Sequence, residues 1–279
     1  MIVLVCVPAW GHGWAVFAWT LWWMDSLLAM ACCFHLTWVM MTHRRPELAE
    51  MTALYLIPIV AIVIAATSGG LVASSLTNED HKLWTLVISY IFWGIGTPLS
   101  WIILTMYFMR MTMYKPLERE VIVSLLLPIG PLGLSGFSII VLGKLARHVF
   151  PLTGTVPGMA QAGAMFYLVG LMLGLVLWSF AVQWFVIAVV MMATASSFPF
   201  NMGWWGFIFP VGIFTLLTIS ISEEFDFRFF KILSCVLAGV CVLAWVGIAV
   251  RTIKRVISGK MFFAPCLGTD LFGKKAPAK

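Results

Sequence analysis

The sequence predicts an all-α, polytopic membrane helix bundle with about seven transmembrane helices, and three observations lead there. Hydrophobic residues make up 62% of the 279 positions and charged residues only 10%, an apolar excess that a water-soluble core cannot hide. The apolar residues gather into runs of about 20 or more, the length that crosses a hydrocarbon core of about 30 Å. The runs lack the period-2 alternation of strands, and in lipid only helices or closed barrels satisfy their own backbone.

The runs place helices at 14–41, 52–76, 83–109, 121–142, 163–192, 202–222 and 229–250. Their short connections make neighbouring helices antiparallel within one membrane domain, 1–257, followed by a tail, 258–279. Residues 1–9, MIVLVCVPA, are apolar but too short to span, and they lack the basic region of a signal peptide. They read as the end of a helix whose beginning is missing.

Threading the chain back and forth sorts the 17 Lys and Arg residues into twelve on one side and five on the other. The richer side holds Arg44, Arg45, Arg110, Lys115, Arg119 and the basic tail, so the C-terminus is expected in the cytosol. The net charge of +6 reflects this sidedness and points to anionic headgroups rather than to nucleic acid. Six cysteines offer neither a disulfide framework nor metal-ligand spacing, and no phosphate-binding glycine loop occurs, so no cofactor is expected.

Prolines carry the next signal. The runs 54–70 and 124–140 share an apolar-Pro-Ile core followed by small residues, with Pro58 and Pro128 separated by 70 positions; Pro210 repeats the theme 82 positions on. A tandem hairpin with one broken and one regular member per unit is expected, although Pro98 in the 83–109 run departs from it. A proline near the middle of a helix frees the carbonyl four residues back, here of Leu54, Ser124 and Gly206. Lipid punishes that exposure, so the three broken helices are placed on the inside of the bundle. They hold no Asp, Glu, His, Lys or Arg, and a neutral lumen with helix dipoles and hydroxyls at Ser124, Thr215, Thr218 and Ser220 suits a weakly held anion or a neutral solute. The candidate lining residues are Pro58, Pro128, Gly130, Gly133, Pro210, Thr215 and Thr218.

Within the runs the one deep charge is Asp25. Ten residues along a helix separate it from His35 by about 15 Å, too far for a catalytic pair. Asp25 is expected to hydrogen-bond a neighbouring helix, His35 to sit at the interface, and Gln183 to join helices. A seven-helix receptor and a non-transporting membrane scaffold are the alternatives from other classes, but a receptor's D/E-R-Y and N-P-x-x-Y runs are absent from the sequence.

The stretch FPFNMGWWGFIFPVGIFTLLT at 198–218 resembles the fungal sulfite efflux pumps of the tellurite-resistance and dicarboxylate transporter family, which also includes malate permeases and plant slow anion channels. REVIVSLLLPIGPLGLSGFSIIVLG at 119–143, WTLVISYIFWGIGTPLSWIIL at 84–104, SGKMFFAPCL at 258–267 and CVPAWG at 6–11 extend the similarity over nearly the whole chain. The resemblance implies part of a ten-helix fold of five hairpins in quasi-fivefold symmetry, this chain holding the fourth to tenth helices with 1–9 as the stub of the third. It implies a central pore lined by the proline-kinked helices, a phenylalanine gate at Phe209, and a homotrimer. It further implies sulfite or hydrogensulfite efflux across the plasma membrane, with malate or another C4-dicarboxylate as the competing substrate, and no enzymatic activity.

Overall fold

The computed structural model describes residues 2–42, 48–114, 122–194, 200, 202–258, 263–264 and 269–270. Of the positions used above, Arg44, Arg45, Lys115, Arg119, Cys266 and the tail lysines Lys260, Lys274, Lys275 and Lys279 lie outside the described residues. A short helical lead, Ile2–Cys6 and α1 (Val7–Trp10), precedes seven long helices: α2 (Gly13–Thr42), α3 (Ile57–Ser74), α4 (Glu79–Met113), α5 (Ile129–Thr153), α6 (Ala162–Thr194), α7 (Ile208–Glu224) and α8 (Arg228–Ile257). Past the bundle, Phe263–Ala264 and Thr269–Asp270 form a small antiparallel pair, which the sequence did not announce.

The seven spans match the expected runs, with one large difference. The fourth was expected to end at 142, but α5 continues to Thr153 through Lys144, Arg147 and His148. The apolar run stops where the helix leaves hydrocarbon, whereas helical hydrogen bonding has no need of apolar side chains.

The prolines are not mid-helix breaks. Each stands where a 3₁₀ segment hands over to an α-helix: Ala53–Leu56 before α3, Ile122–Leu126 before α5 and Met202–Phe207 before α7. Pro58 falls in the first turn of α3, Pro128 is the N-cap of α5 and Pro210 is the third residue of α7. A first-turn residue has no intrahelical acceptor for its N–H, so proline costs little there. Two of the carbonyls expected to be freed are satisfied by 3₁₀-type bonds: Leu54 accepts from the Ile57 N–H, and Ser124 accepts from the Leu127 N–H at 3.0 Å. Pro98, by contrast, lies exposed inside an unbroken α4. The repeated mark is therefore the 3₁₀-to-α junction, not proline alone.

Burial separates the helices into two layers. The spans containing α3, α5 and α7 are 61%, 83% and 50% buried, against 17%, 39%, 22% and 17% for those of α2, α4, α6 and α8. The inner helices pack in the order α3, α5, α7, and each forms a hairpin with the outer helix that follows it. Side chains tie the layers together: Trp22 Nε1 donates to the Ala65 carbonyl at 2.8 Å, Trp93 Nε1 to the Ser135 carbonyl at 2.9 Å, and Trp178 Nε1 to Thr218 Oγ1 at 3.0 Å. Thr97 Oγ1 donates to Ser135 Oγ at 3.0 Å, closing a buried link between α4 and α5. An indole suits this place, since its ring fills apolar space while its N–H finds a carbonyl.

Candidate functional site

All three 3₁₀-to-α junctions converge on one groove. Its floor is Leu127, Gly130 and Pro131 at the start of α5; one wall is Ala53, Leu56, Ile57, Val60, Ala61 and Ile64, and the other is Gly206, Phe209 and Pro210. The cavity holds about 380 Å³. Ile57 and Phe209 are 56% and 42% exposed, so these walls stand free rather than meeting each other. No lining side chain is ionisable or hydroxylated. Polarity reaches the groove through backbone, with three α-helices beginning at the same level and directing their partial positive ends there.

A β-carbon at Gly130 would rest 3.6 Å from Pro210 Cγ and 3.7 Å from Phe209 Cε1, ordinary van der Waals contact, so the phenyl ring lies beside the start of α5 with room for no more than a methyl between them. Three of the sequence-nominated residues, Gly130, Phe209 and Pro210, line this groove. Pro58, Pro128, Gly133, Thr215 and Thr218 do not. Gly133 is spent on helix contact, its β-position only 3.2 Å from the Phe214 backbone nitrogen. Thr215 and Thr218 are buried and turn their hydroxyls back to the Val211 and Phe214 carbonyls, both at 2.8 Å. A threonine on a helix always has the carbonyl four residues earlier within reach of its hydroxyl. The α3 wall and Pro131 were missed by sequence, because Ile, Val and Ala read as ordinary apolar filler.

The ends of the inner helices differ in chemistry. Opposite the 3₁₀ segments, Lys144 of α5 pairs with Glu224 at 2.6 Å and Glu223 at 3.4 Å on α7. Tyr167 of α6 donates its hydroxyl to Glu224, while Arg147 lies 5.0 Å over the Tyr167 ring. Just beyond α7, the Lys231 ammonium beside Asp226 holds that carboxyl below the usual carboxylate range. At the 3₁₀ end, two arginines of α8 rest on aromatic rings: Arg251 lies over Trp204 and Arg255 over Phe200, at 5.9 and 5.3 Å.

The remaining polar residues stand apart from the groove. Asp25 is exposed on α2, and no hydrogen bond to a neighbouring helix is found for it among the described residues, contrary to expectation. His35 is exposed near the end of α2 with its ring 6.1 Å from that of Trp38. Gln183 faces an outer groove between α4 and α6, beside Trp101, Phe108 and Trp184. Among the described residues no cluster of His, Cys, Asp or Glu could hold a metal.

An inner layer of three helices, each entered through a 3₁₀ segment, backed by an outer layer of longer ones, all long and apolar enough to cross a membrane, is the architecture of a polytopic membrane protein. Residues 1–253 match the family described as voltage-dependent anion channel, SLAC1, and the chain belongs to that family. It is 41% identical over 261 residues to the sulfite efflux pump SSU1 of Arthroderma benhamiae, covering 94% of this chain and 69% of that protein, and equally so to that of Trichophyton rubrum. An uncharacterized transporter of Methanocaldococcus jannaschii is 26% identical over 209 residues, 74% of this chain and 56% of that protein. No solved structure matches. The family membership displaces the receptor reading.

Proposed function

We propose that this chain moves sulfite or hydrogensulfite out of the cell through a path along the groove of α3, α5 and α7, with Phe209 as its gate. The observation that carries the transport reading is the convergence of three helix junctions on one groove with no ionisable lining. An embedded cation would hold an anion tightly, whereas helix dipoles and backbone hold it weakly enough to let go. The substrate follows from the relatives that cover nearly the whole chain, whose printed function is sulfite efflux. In this reading the protein lies in the plasma membrane, and its C-terminus is in the cytosol because threading the sequence back and forth puts most of its arginines and lysines on the C-terminal side. A homotrimer is the assembly that the family resemblance implies.

The test is efflux. Cells lacking their own sulfite exporter, loaded with sulfite, are expected to lose it faster when they express this chain, while malate loss stays at the background rate. Equal sulfite loss with and without the chain, when labelling shows it in the plasma membrane, counts against the proposal; faster malate loss reassigns the substrate.

A further inference from the structure

The last turns of α8 carry a cationic surface on the flank of the chain that enters α7. Arg251, Lys254 and Arg255 stand at i, i+3 and i+4, so their side chains share one face of the helix, and all three are exposed. Among the described residues none of them pairs with a carboxylate. The two arginines turn toward the entry of α7. Arg251 lies over the Trp204 ring at 5.9 Å. Arg255 lies over the Phe200 ring at 5.3 Å, and its Nη1 donates to the Phe200 carbonyl. Trp205 closes the contact, its Nε1 donating to Thr252 Oγ1 at 3.0 Å. A guanidinium has five N–H donors in a fixed fork. Arg255 spends one of them on that carbonyl, and most of the fork of each arginine is left for another acceptor.

Three cations within about one turn repel one another, and the C-terminal end of a helix offsets only about half a charge. A partner of opposite sign completes them, and position says which. α8 is long and apolar enough to cross a membrane. On the same face, one and two turns deeper, Val250 and Val246 are exposed, with Leu243 beyond them. An acyl chain lying along that strip brings its headgroup to the level of the cations, whereas a free anion gains nothing from the strip. Tryptophans stand beside the cations, as they do where hydrocarbon gives way to headgroups. We propose that Arg251, Lys254 and Arg255 bind the headgroup phosphate of an anionic phospholipid, and that the bound lipid holds the entry of α7 in place. A guanidinium stacks on a ring through its face and forks to phosphate through its edge, so the lipid adds to the Trp204 and Phe200 contacts without competing for them. The segment so held, Met202–Phe207, leads directly into the groove wall at Gly206 and Phe209. Neither the binding nor the hold depends on what the groove carries.

Calorimetric titration of the purified chain, in an uncharged detergent, with dioctanoyl phosphatidylserine tests the site. Saturable binding is expected, and none for dioctanoyl phosphatidylcholine, whose headgroup carries its own cation. Arg251→Gln, Lys254→Gln and Arg255→Gln should each weaken the binding about fivefold. Added salt should weaken it in the unmodified chain. Arg228→Gln, which removes a cation from the opposite end of α8, should leave it unchanged. Equal binding of the two lipids, an affinity indifferent to all three substitutions, or an affinity indifferent to salt overturns the site, the last even if a variant fails to fold. Displacement of the lipid by millimolar inorganic phosphate would make the occupant a free anion and overturn the lipid. Hydrogen exchange reads the hold. Amides of 202–207 should exchange about fivefold more slowly with phosphatidylserine bound, and Arg251→Gln with Arg255→Gln should abolish that protection. Exchange unchanged by the lipid in the unmodified chain overturns the hold alone.

Discussion

Phe209→Ala is expected to raise sulfite passage on the order of tenfold, equivalent to about 1.4 kcal/mol off the barrier. The ring lies against Gly130 and lines the groove beside Pro210. Swinging it aside costs a rotamer change and its contacts with the floor, and alanine has neither to lose. Phe209 is 42% exposed, so its removal should cost the fold little. Gly130→Leu provides the opposite sign: it fills the space under the ring from α5 and should slow passage. Efflux rates from loaded cells, corrected for the amount of protein in the membrane, decide both. An unchanged rate for Phe209→Ala removes the gate assignment.

The largest expected effect on stability lies at the α5–α6 hairpin. Gly170→Ala should destabilise the chain by about 2 kcal/mol, because a β-carbon at Gly170 would stand 2.7 Å from the Ile139 carbonyl oxygen. The obstacle is backbone, which cannot turn away as a side chain can. Gly163 repeats the arrangement seven residues earlier, with its β-position 2.5 Å from the Ala146 carbonyl. In lipid, helices gain little from hiding apolar surface against one another, so close backbone approach between small residues holds the pair. Gly94→Ala and Gly239→Ala are the controls, since nothing lies within 4 Å of either β-position. Thermal unfolding in detergent should show Gly170→Ala melting earlier and both controls melting at or above the unmodified chain. Equal melting of all three would mean the hairpin is less tightly packed than described.

Much of the fold was legible because lipid enforces it: runs of the right length without charge must be helices, and the two layers followed from which runs are interrupted. The nature of the interruption was not legible. Sequence shows Pro58, Pro128 and Pro210, but whether the preceding residues hydrogen-bond at i+3 or i+4 is settled by packing, and the 3₁₀ segments emerged only in three dimensions. Of the site, Gly130, Phe209 and Pro210 were readable. Thr215 and Thr218 misled because a hydroxyl on a helix can serve its own backbone as easily as a lumen. Arg110 was read only as a topological charge at a helix end; it is buried, and its Nε donates to the Ala49 carbonyl, 61 positions earlier in the chain.

The α3–α5–α7 groove, not the outer surface, is expected to be where water and anions meet the protein. Cysteine accessibility tests it directly. In a chain freed of its native cysteines, single cysteines at Ile57, Ile64 and Phe209 should react with a charged, membrane-impermeant thiol reagent, and the reaction should block sulfite efflux. Cysteines at Val176 and Leu243, exposed on α6 and α8, should stay unmodified in lipid. Labelling at Val176 and Leu243 with none at Ile57, Ile64 and Phe209 would put the aqueous path on the outer surface instead.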